Sequence, residues 1–407
     1  MAINKDAGIK IGPFGSALKK ELLVKWGYKV YGQENVFEND MEIGNRFISK
    51  NHFQRLKSCQ LIEGDFVISM MGTIGQCMII PHDFHEGIMD SHLLRMRVDE
   101  MILDKQYLIQ IFKSKVVIDQ VKRLSVGGIM DGLSSSIFKR ITIPLPPTLA
   151  EQRAIATALS DVDALIAGLD KLIEKKKAIK QGAMQELLTG KTRLAGFDNG
   201  AGYKMTEVGR IPSDWTIQKF GNVGDTIIGL TYSPHEVASD GKLVHRSSNI
   251  QNNKLTYLDN VYVLKDIPEK LRLKENDILI CVRNGSRDLI GKAALIVGES
   301  IGETFGAFMS VFRSSLYPPL VFQYVISDIV QKQINMSLGA TINQITNKTL
   351  NSFEIPFPPT LAEQRAIAIT LSNMDSEIEE LETKRDKYKK IKQGMMQELL
   401  TGKTRLV

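Results

Sequence analysis

The feature that most constrains this chain is that part of it is written twice. Residues 143–194 begin Ile-Pro-Leu-Pro-Pro-Thr-Leu-Ala-Glu-Gln-Arg-Ala-Ile-Ala and end Lys-Gln-Gly-Ala-Met-Gln-Glu-Leu-Leu-Thr-Gly-Lys-Thr-Arg-Leu, and residues 355–406 repeat them without a gap. Roughly two-thirds of the positions are identical at a constant offset of about 212 residues, a period far too long for a solenoid. A chain of 407 residues has room for two large modules, each a globular part followed by a helix.

Both copies carry the same helix signals. Pro146-Pro147 stops a preceding strand, Thr148 is an N-cap, and Glu151 three residues later makes a capping box; Thr360 and Glu363 repeat the pattern. Apolar residues then recur at alternating spacings of four and three: Ile155, Leu159, Val162, Ile166, Leu169, Ile173 in one copy, and Ile367, Leu371, Met374, Ile378, Leu381 in the other. That is a coiled-coil seam. Lys175-Lys176-Lys177 and Glu379-Glu380 lie off it as solvated charge, and Gly190 or Gly402 ends each helix. About 40 residues at 1.5 Å each give a rod on the order of 60 Å. An apolar seam needs a partner, and the second copy is at high effective concentration. An antiparallel pair is expected, because it sets the two globular parts at opposite ends; a homodimeric seam is the alternative.

The globular parts share only short landmarks. Val30-Tyr31-Gly32-Gln33-Glu34-Asn35-Val36 lines up with Val244-His245-Arg246-Ser247-Ser248-Asn249-Ile250. Gly64-Asp65-Phe66-Val67-Ile68-Ser69 lines up with Asn276-Asp277-Ile278-Leu279-Ile280-Cys281, each a buried-strand pattern. Both parts read as one α/β fold with divergent surfaces, joined by a glycine-rich linker after Leu194. Near-identical rods must meet the same thing, whereas divergent heads must meet different things.

Composition narrows the function. Lys and Arg exceed Asp and Glu by 52 to 46, for a net charge of +6, which permits a nucleic-acid partner without demanding one. Three scattered cysteines and six histidines show no disulfide framework and no metal-ligand spacing. No apolar run reaches the roughly 18 residues of a membrane span, and Met1–Asp6 has no signal-peptide core, so a cytoplasmic protein is expected.

The doubled Ile-Pro-X-Pro-Pro-Thr-Leu-Ala-Glu-Gln-Arg and Met-Gln-Glu-Leu-Leu-Thr-Gly-Lys-Thr-Arg-Leu segments resemble the specificity (S) subunit of type I restriction-modification systems, over essentially the whole chain. Gly12-Pro13-Phe14-Gly15-Ser16 and Gly229-Leu230-Thr231-Tyr232 resemble that family's early recognition-domain segment. The resemblance implies an α/β (α+β) chain with a pseudo-twofold internal repeat: two target recognition domains separated by a pair of long antiparallel coiled-coil helices. The expected divisions are residues 1–142 and 211–354 for the recognition domains, 143–194 and 355–407 for the spacer helices, and 195–210 for the linker. Ile211-Pro212-Ser213-Asp214-Trp215 opens the second module, but nothing matches it before Ala7-Gly8-Ile9, so the first domain is expected to start late. Implied partners are double-stranded DNA, two modification (methyltransferase) subunits and, where the system has them, restriction subunits. No cofactor is expected on this chain; S-adenosylmethionine would belong to the methyltransferase subunits, and ATP with Mg²⁺ to a restriction subunit.

Other motifs have plainer readings. Gly190-Lys191-Thr192 and Gly402-Lys403-Thr404 imitate the end of a P-loop, but Gln185 and Gln397 stand where its first glycine belongs and a helix precedes, so a helix stop is the reading. His82, Asp83 and His85 read as a solvated loop rather than a metal site. No amino-methyltransferase Pro-Pro-Tyr motif and no nuclease carboxylate cluster appears, so chemistry is expected on other chains. The DNA-reading candidates are Arg, Asn, Gln, Ser, Thr, Lys and Tyr side chains near predicted strand ends, because guanidinium suits guanine and carboxamide suits adenine. In the second domain these are Tyr232, Arg246, Ser247, Asn249, Asn252, Arg283, Asn284, Ser286, Arg287, Thr341 and Asn343; in the first, Lys19, Lys20, Gln33, Asn35 and Thr73. A plain surface loop is the alternative for residues 283–287, Lys19-Lys20 is also a simple solvated pair, and several candidates are expected to be structural.

The expectation is a non-catalytic DNA-specificity protein for a bipartite, non-palindromic site. The alternatives are the specificity component of another DNA-modifying system and a structural coiled-coil interaction protein without DNA binding.

Overall fold

The repeated segments form two long helices, Leu149–Leu188 and Leu361–Leu399, in the computed structural model, which describes residues 8–71, 76–125, 135–339 and 343–406. Two units divide the chain: one runs up to Asp170 and resumes at Glu382, and the other spans Lys171–Leu381. Each unit therefore holds one globular part and one end of each long helix.

Within each unit the helix ends run antiparallel. In the first, Glu151 pairs with Arg405, Asp163 with Lys392 at 2.7 Å and Asp170 with Arg385 at 3.5 Å, so one number rises as the other falls. In the second, Lys176 meets Glu377 at 2.5 Å, Lys180 meets Asp375 at 2.6 Å and Arg193 meets Glu363 at 2.7 Å. Pairing thus lies within the chain, and Lys176, expected off the seam, reaches across it.

The seam is less apolar than its periodicity implies. Ile155, Leu159, Leu169, Ile173, Ile367, Leu371 and Ile378 are buried, but Val162, Ile166, Met374 and Leu381 are only half-buried. The helix ends gain the rest of their burial from the globular parts. Ile155, Leu159, Leu399 and Leu400 join the core of the first unit; Leu187, Leu188, Ile367 and Leu371 join that of the second.

The capping expectation is half right. Thr148 Oγ1 accepts from the Glu151 backbone N–H at 3.2 Å, and Thr360 Oγ1 from that of Glu363 at 3.3 Å. The glutamate carboxylates do not close the box, because each is taken by a guanidinium, Arg405 or Arg193. A two-pronged charged pair outcompetes a single bond to the cap N–H. Gly190 and Gly402 stop the helices at φ +66° and +73°. Behind them Lys191 and Thr192 both turn onto Glu186, and Lys403 and Thr404 onto Glu398, which leaves no phosphate cradle.

The globular parts share one topology. In the first unit an antiparallel sheet runs Ile9–Ile11, Leu93–Met96, Phe66–Ser69, Cys77–Ile79; a second sheet runs Leu23–Val24, Phe47–Ile48, Tyr28–Tyr31, Gly87–Met89, with its last pair parallel. The second unit repeats both orders, with Gly224–Ile228, Met309–Ser314, Ile278–Cys281, Ala293–Leu295 and with Val237–Ala238, Tyr262–Val263, Lys242–His245, Thr304–Phe305. Alternation in the central strands divides two cores: Phe66 and Ile68 face helices Lys105–Phe112 and Lys115–Ser125, whereas Val67 faces the second sheet. Ile278 and Ile280 against Leu279 and Cys281 do the same.

Three features of the second unit depart from the sequence reading. The stretch expected as linker ends in a hairpin, Tyr203–Thr206 with Gly209–Pro212. Arg210 stacks over Tyr203 at 4.2 Å. Thr216–Lys219 pairs with Glu354–Phe357; among the described residues the first unit has no such pair, and the residues before Pro146 are not in a strand. A further hairpin joins Ile250–Gln251 to Lys254–Leu255.

Candidate nucleic-acid interface

Glycine sets the geometry at the same place in both heads. A Cβ on Gly229 would lie 2.2 Å from the Gly306 carbonyl oxygen, and one on Gly12 would lie 1.9 Å from that of Asp90. Only glycine lets the two backbones cross so closely. The residues that follow, Leu230 to Tyr232, form one wall of a cleft of about 470 Å³ whose other walls include Arg246, Ser247, Ser248, Asp259 and Phe308. Three sequence candidates, Tyr232, Arg246 and Ser247, therefore share one cleft.

A loop adds to it. Arg283 to Ser286 leaves the strand Ile278–Cys281, as expected, and returns toward Ala293–Leu295. Asn284 Nδ2 donates to Ser247 Oγ at 3.1 Å, its Oδ1 accepts from the Ser286 N–H at 3.0 Å, and Asn343 Nδ2 donates to the Gly285 carbonyl at 3.1 Å. The Arg283 guanidinium lies over the Phe308 ring at 5.0 Å. Arg287 turns away, donating to the Asn335 carbonyl at 3.1 Å. Arg246 is paired with Asp259 at 2.8 Å, while its Nε and Ser248 Oγ are buried without a hydrogen-bond partner among the described residues.

Other candidates are structural. Asn249 and Asn35 are buried and spend their side chains on backbone: Asn249 Oδ1 accepts from Arg246 N–H at 2.9 Å and Nδ2 donates to the Thr256 carbonyl, and Asn35 does the same with Gly32 and with Asp40 and Ile43. Neither carboxamide is free to read a base, because a buried polar group must be satisfied where it lies. Asn252 forms a hairpin turn with Asn253, at φ +50° and +59°, and the adjacent Lys254 pairs with Glu379 of the second long helix. Lys19 and Lys20 are exposed. Gln33 opens the short helix Gln33–Glu38, with its Oε1 buried and unpartnered among the described residues. Thr73 and Thr341 lie outside the described residues.

Sequence reasoning missed Phe308, Asp259 and His245. Phe308 is 57% exposed at the Gly306–Met309 turn, and only its size at a turn hinted at a role. His245 is fully buried, neither ring nitrogen has a hydrogen-bond partner among the described residues, and burial pushes its pKa down to about 4. His82 pairs with Glu63 at 2.8 Å, which raises its pKa, and His85 bonds the Gly27 carbonyl; the two rings serve different partners. Among the described residues no group of three ligating side chains is placed to hold a metal, and no helix is long and apolar enough to cross a membrane.

A second kind of surface occurs once per unit. In the first, a cleft of about 790 Å³ is lined by Gln393, Met396 and Gln397 of the second long helix and by Thr401 just past its end, opposite Lys115, Asp119 and Arg123. In the second, one of about 510 Å³ is lined by Gln181, Met184 and Gln185 of the first long helix and by Thr189 just past its end, opposite Asp328, Lys332 and Met336. The helix walls are the same four residue types at repeat-equivalent positions, and the opposite walls differ.

Comparison with known proteins gives consistent matches. The family model described as type I restriction modification DNA specificity domain matches twice, at residues 12–180 and 212–393. The type I restriction enzyme MjaVIII specificity subunit of Methanocaldococcus jannaschii is 29% identical over 331 residues, covering 79% of this chain and 75% of that protein. The putative type I restriction enzyme MjaX specificity subunit of the same organism is 29% identical over 398 residues, covering 94% and 88%. The crystal structure of a type I restriction-modification S subunit from M. genitalium has the same fold, with a TM-score of 0.55 at 16% identity, covering 96% of this chain and 93% of that one.

Proposed function

Because the chain belongs to the family of type I restriction-modification specificity subunits, we propose that it reads a bipartite, non-palindromic DNA site, one recognition domain per half, and itself carries no catalysis. The observation that carries this reading is one scaffold built twice with unlike surfaces. Asp65 with Arg97 is matched by Asp277 with Arg313, and Gln120 tied to Thr142 by Gln333 tied to Glu354, whereas the Tyr232–Arg246–Phe308 cleft has no residue-for-residue copy at the equivalent Gly15, Gly32 and His92. Lysine and arginine contacts to phosphate supply affinity that falls with salt, and base-edge contacts supply discrimination.

The paired helix-wall clefts support docking of two like methyltransferase subunits, since the same four side-chain types recur while the heads around them change. S-adenosylmethionine then belongs to those subunits, and ATP with Mg²⁺ to a restriction subunit where one is present. The test is methylation mapping of DNA with the chain and its methyltransferase partner. A split motif is expected; exchanging residues 1–142 for another recognition domain changes one half and leaves the other, and changes in both halves refute the modular reading. A chain that binds no DNA in a salt-dependent manner and co-purifies with no methyltransferase would be a structural coiled-coil protein instead.

A further inference from the structure

The loop at Arg283 is held more firmly than a loop needs to be. The Val282 and Arg283 N–H groups both donate to the Phe308 carbonyl at 3.1 Å, Asn284 N–H donates to the Asn343 carbonyl at 3.3 Å, and Ile345 N–H donates to that of Val282 at 2.8 Å. Arg283 also bridges to Gln344. The base of the loop is thus clamped from both sides. Its guanidinium lies over an exposed Phe308 ring, and among the described residues no carboxylate is within salt-bridge distance of it, in contrast to Arg246, which Asp259 holds at 2.8 Å. An exposed aromatic at a turn is poorly placed for stability, but a ring beneath a guanidinium fixes its plane and leaves its N–H edge free. A planar, charged, preorganised fork suits an acceptor with two adjacent oxygen or nitrogen atoms.

We propose that Arg283, oriented by Phe308, specifies one guanine in the half-site read by the second recognition domain, donating to its O6 and N7. This rests on the DNA-reading function above. Phe308 is a positioning residue and Arg283 the contacting one. Arg246 is a weaker candidate for the same role, since Asp259 already occupies its fork.

The test compares the full-length chain with Arg283→Lys and Phe308→Ala, each assembled with its methyltransferase subunits, by methylation mapping and by titration of duplexes carrying each base at each motif position. Arg283→Lys keeps the charge and loses the fork. Both variants are expected to relax a single guanine position of one half-site, with discrimination there falling roughly tenfold or more. The other half-site stays intact and reports that each variant has folded and assembled. A wild-type motif lacking an invariant guanine in that half overturns the inference. So does a uniform loss of affinity in the alanine variant with the motif unchanged, which is the behaviour of a phosphate contact. An unchanged motif in both variants, beside a split wild-type motif, sinks the assignment but leaves the proposed function standing; a wild-type chain that yields no split motif sinks both.

Discussion

At the end of one central strand the first unit carries Tyr31 and the second carries His245. The Tyr31 hydroxyl donates to the His85 carbonyl, whereas the His245 ring is buried with neither nitrogen hydrogen-bonded among the described residues. A few residues away the units agree again: Asp65 accepts from the Ile62 N–H and holds Arg97, and Asp277 accepts from the Lys274 N–H and holds Arg313. Positions that cap a turn and anchor a guanidinium at once are shared, because two obligations leave one side chain. Tyr31 and His245, which carry no such double duty, have diverged, while apolar core positions such as Val30 and Val244 or Ile68 and Ile280 are kept. Long-helix ends follow the same rule, with Glu151–Arg405 matched by Glu363–Arg193 and Asp163–Lys392 by Asp375–Lys180.

Four measurements sharpen or break this comparison. Removing the shared anchor has the largest expected effect. Asp277→Ala leaves a half-buried guanidinium and an uncapped turn, and is expected to cost about 3 to 5 kcal/mol by denaturant unfolding, with Asp65→Ala alike. A loss below about 1 kcal/mol in either would show that the pair is ornamental.

The Tyr31–His245 difference comes next. Above about pH 6.5 the imidazole is neutral whether the chain is folded or not, so its burial costs nothing in protonation. As pH falls toward about 4 the unfolded chain takes up a proton that the folded one refuses, and stability drops by up to about 3 kcal/mol across that window. Amide exchange followed from pH 7 to 4.5 should show the second unit loosening first, and His245→Phe should flatten the dependence. Equal loosening of both units, unchanged by the substitution, would discard this role.

The helix anchors differ in burial. Arg193 is 7% exposed and also meets Asp214, whereas Arg405 is 59% exposed and, among the described residues, pairs with Glu151 alone. Arg193→Ala is expected to cost roughly 2 kcal/mol in thermal unfolding, and Arg405→Ala less. The reverse order would mean that the repeat equivalence misleads. Smallest is the cap: Thr148→Ala and Thr360→Ala should each cost about 1 kcal/mol and should match one another, as calorimetry of the two variants would report.

Much of the architecture was legible from the repeat. The helix limits, their N-caps and the central strands at 66–69 and 278–281 agree with their sequence signals, since caps, glycine stops and apolar runs are local physics. The site was less legible. Residue type alone put Asn249 and Asn35 beside Arg246 and Arg283 as base readers, but a carboxamide that caps a turn has the same sequence signature as one that faces DNA. The exposed Phe308 carried no such signature.

The linear order of residues determined that two long helices would form, where they would start and stop, and that two similar heads would precede them, because those outcomes depend on neighbours within a few positions or on the repeat itself. Only the tertiary structure decided that Glu151 and Glu363 would serve arginines rather than their own caps, that Lys180 and Lys392 would enter the seam, and that Tyr232, Arg246 and Phe308 would line one cleft. Those choices join residues tens to hundreds of positions apart. Burial and competition among partners settle them, and neither is visible until the chain has folded.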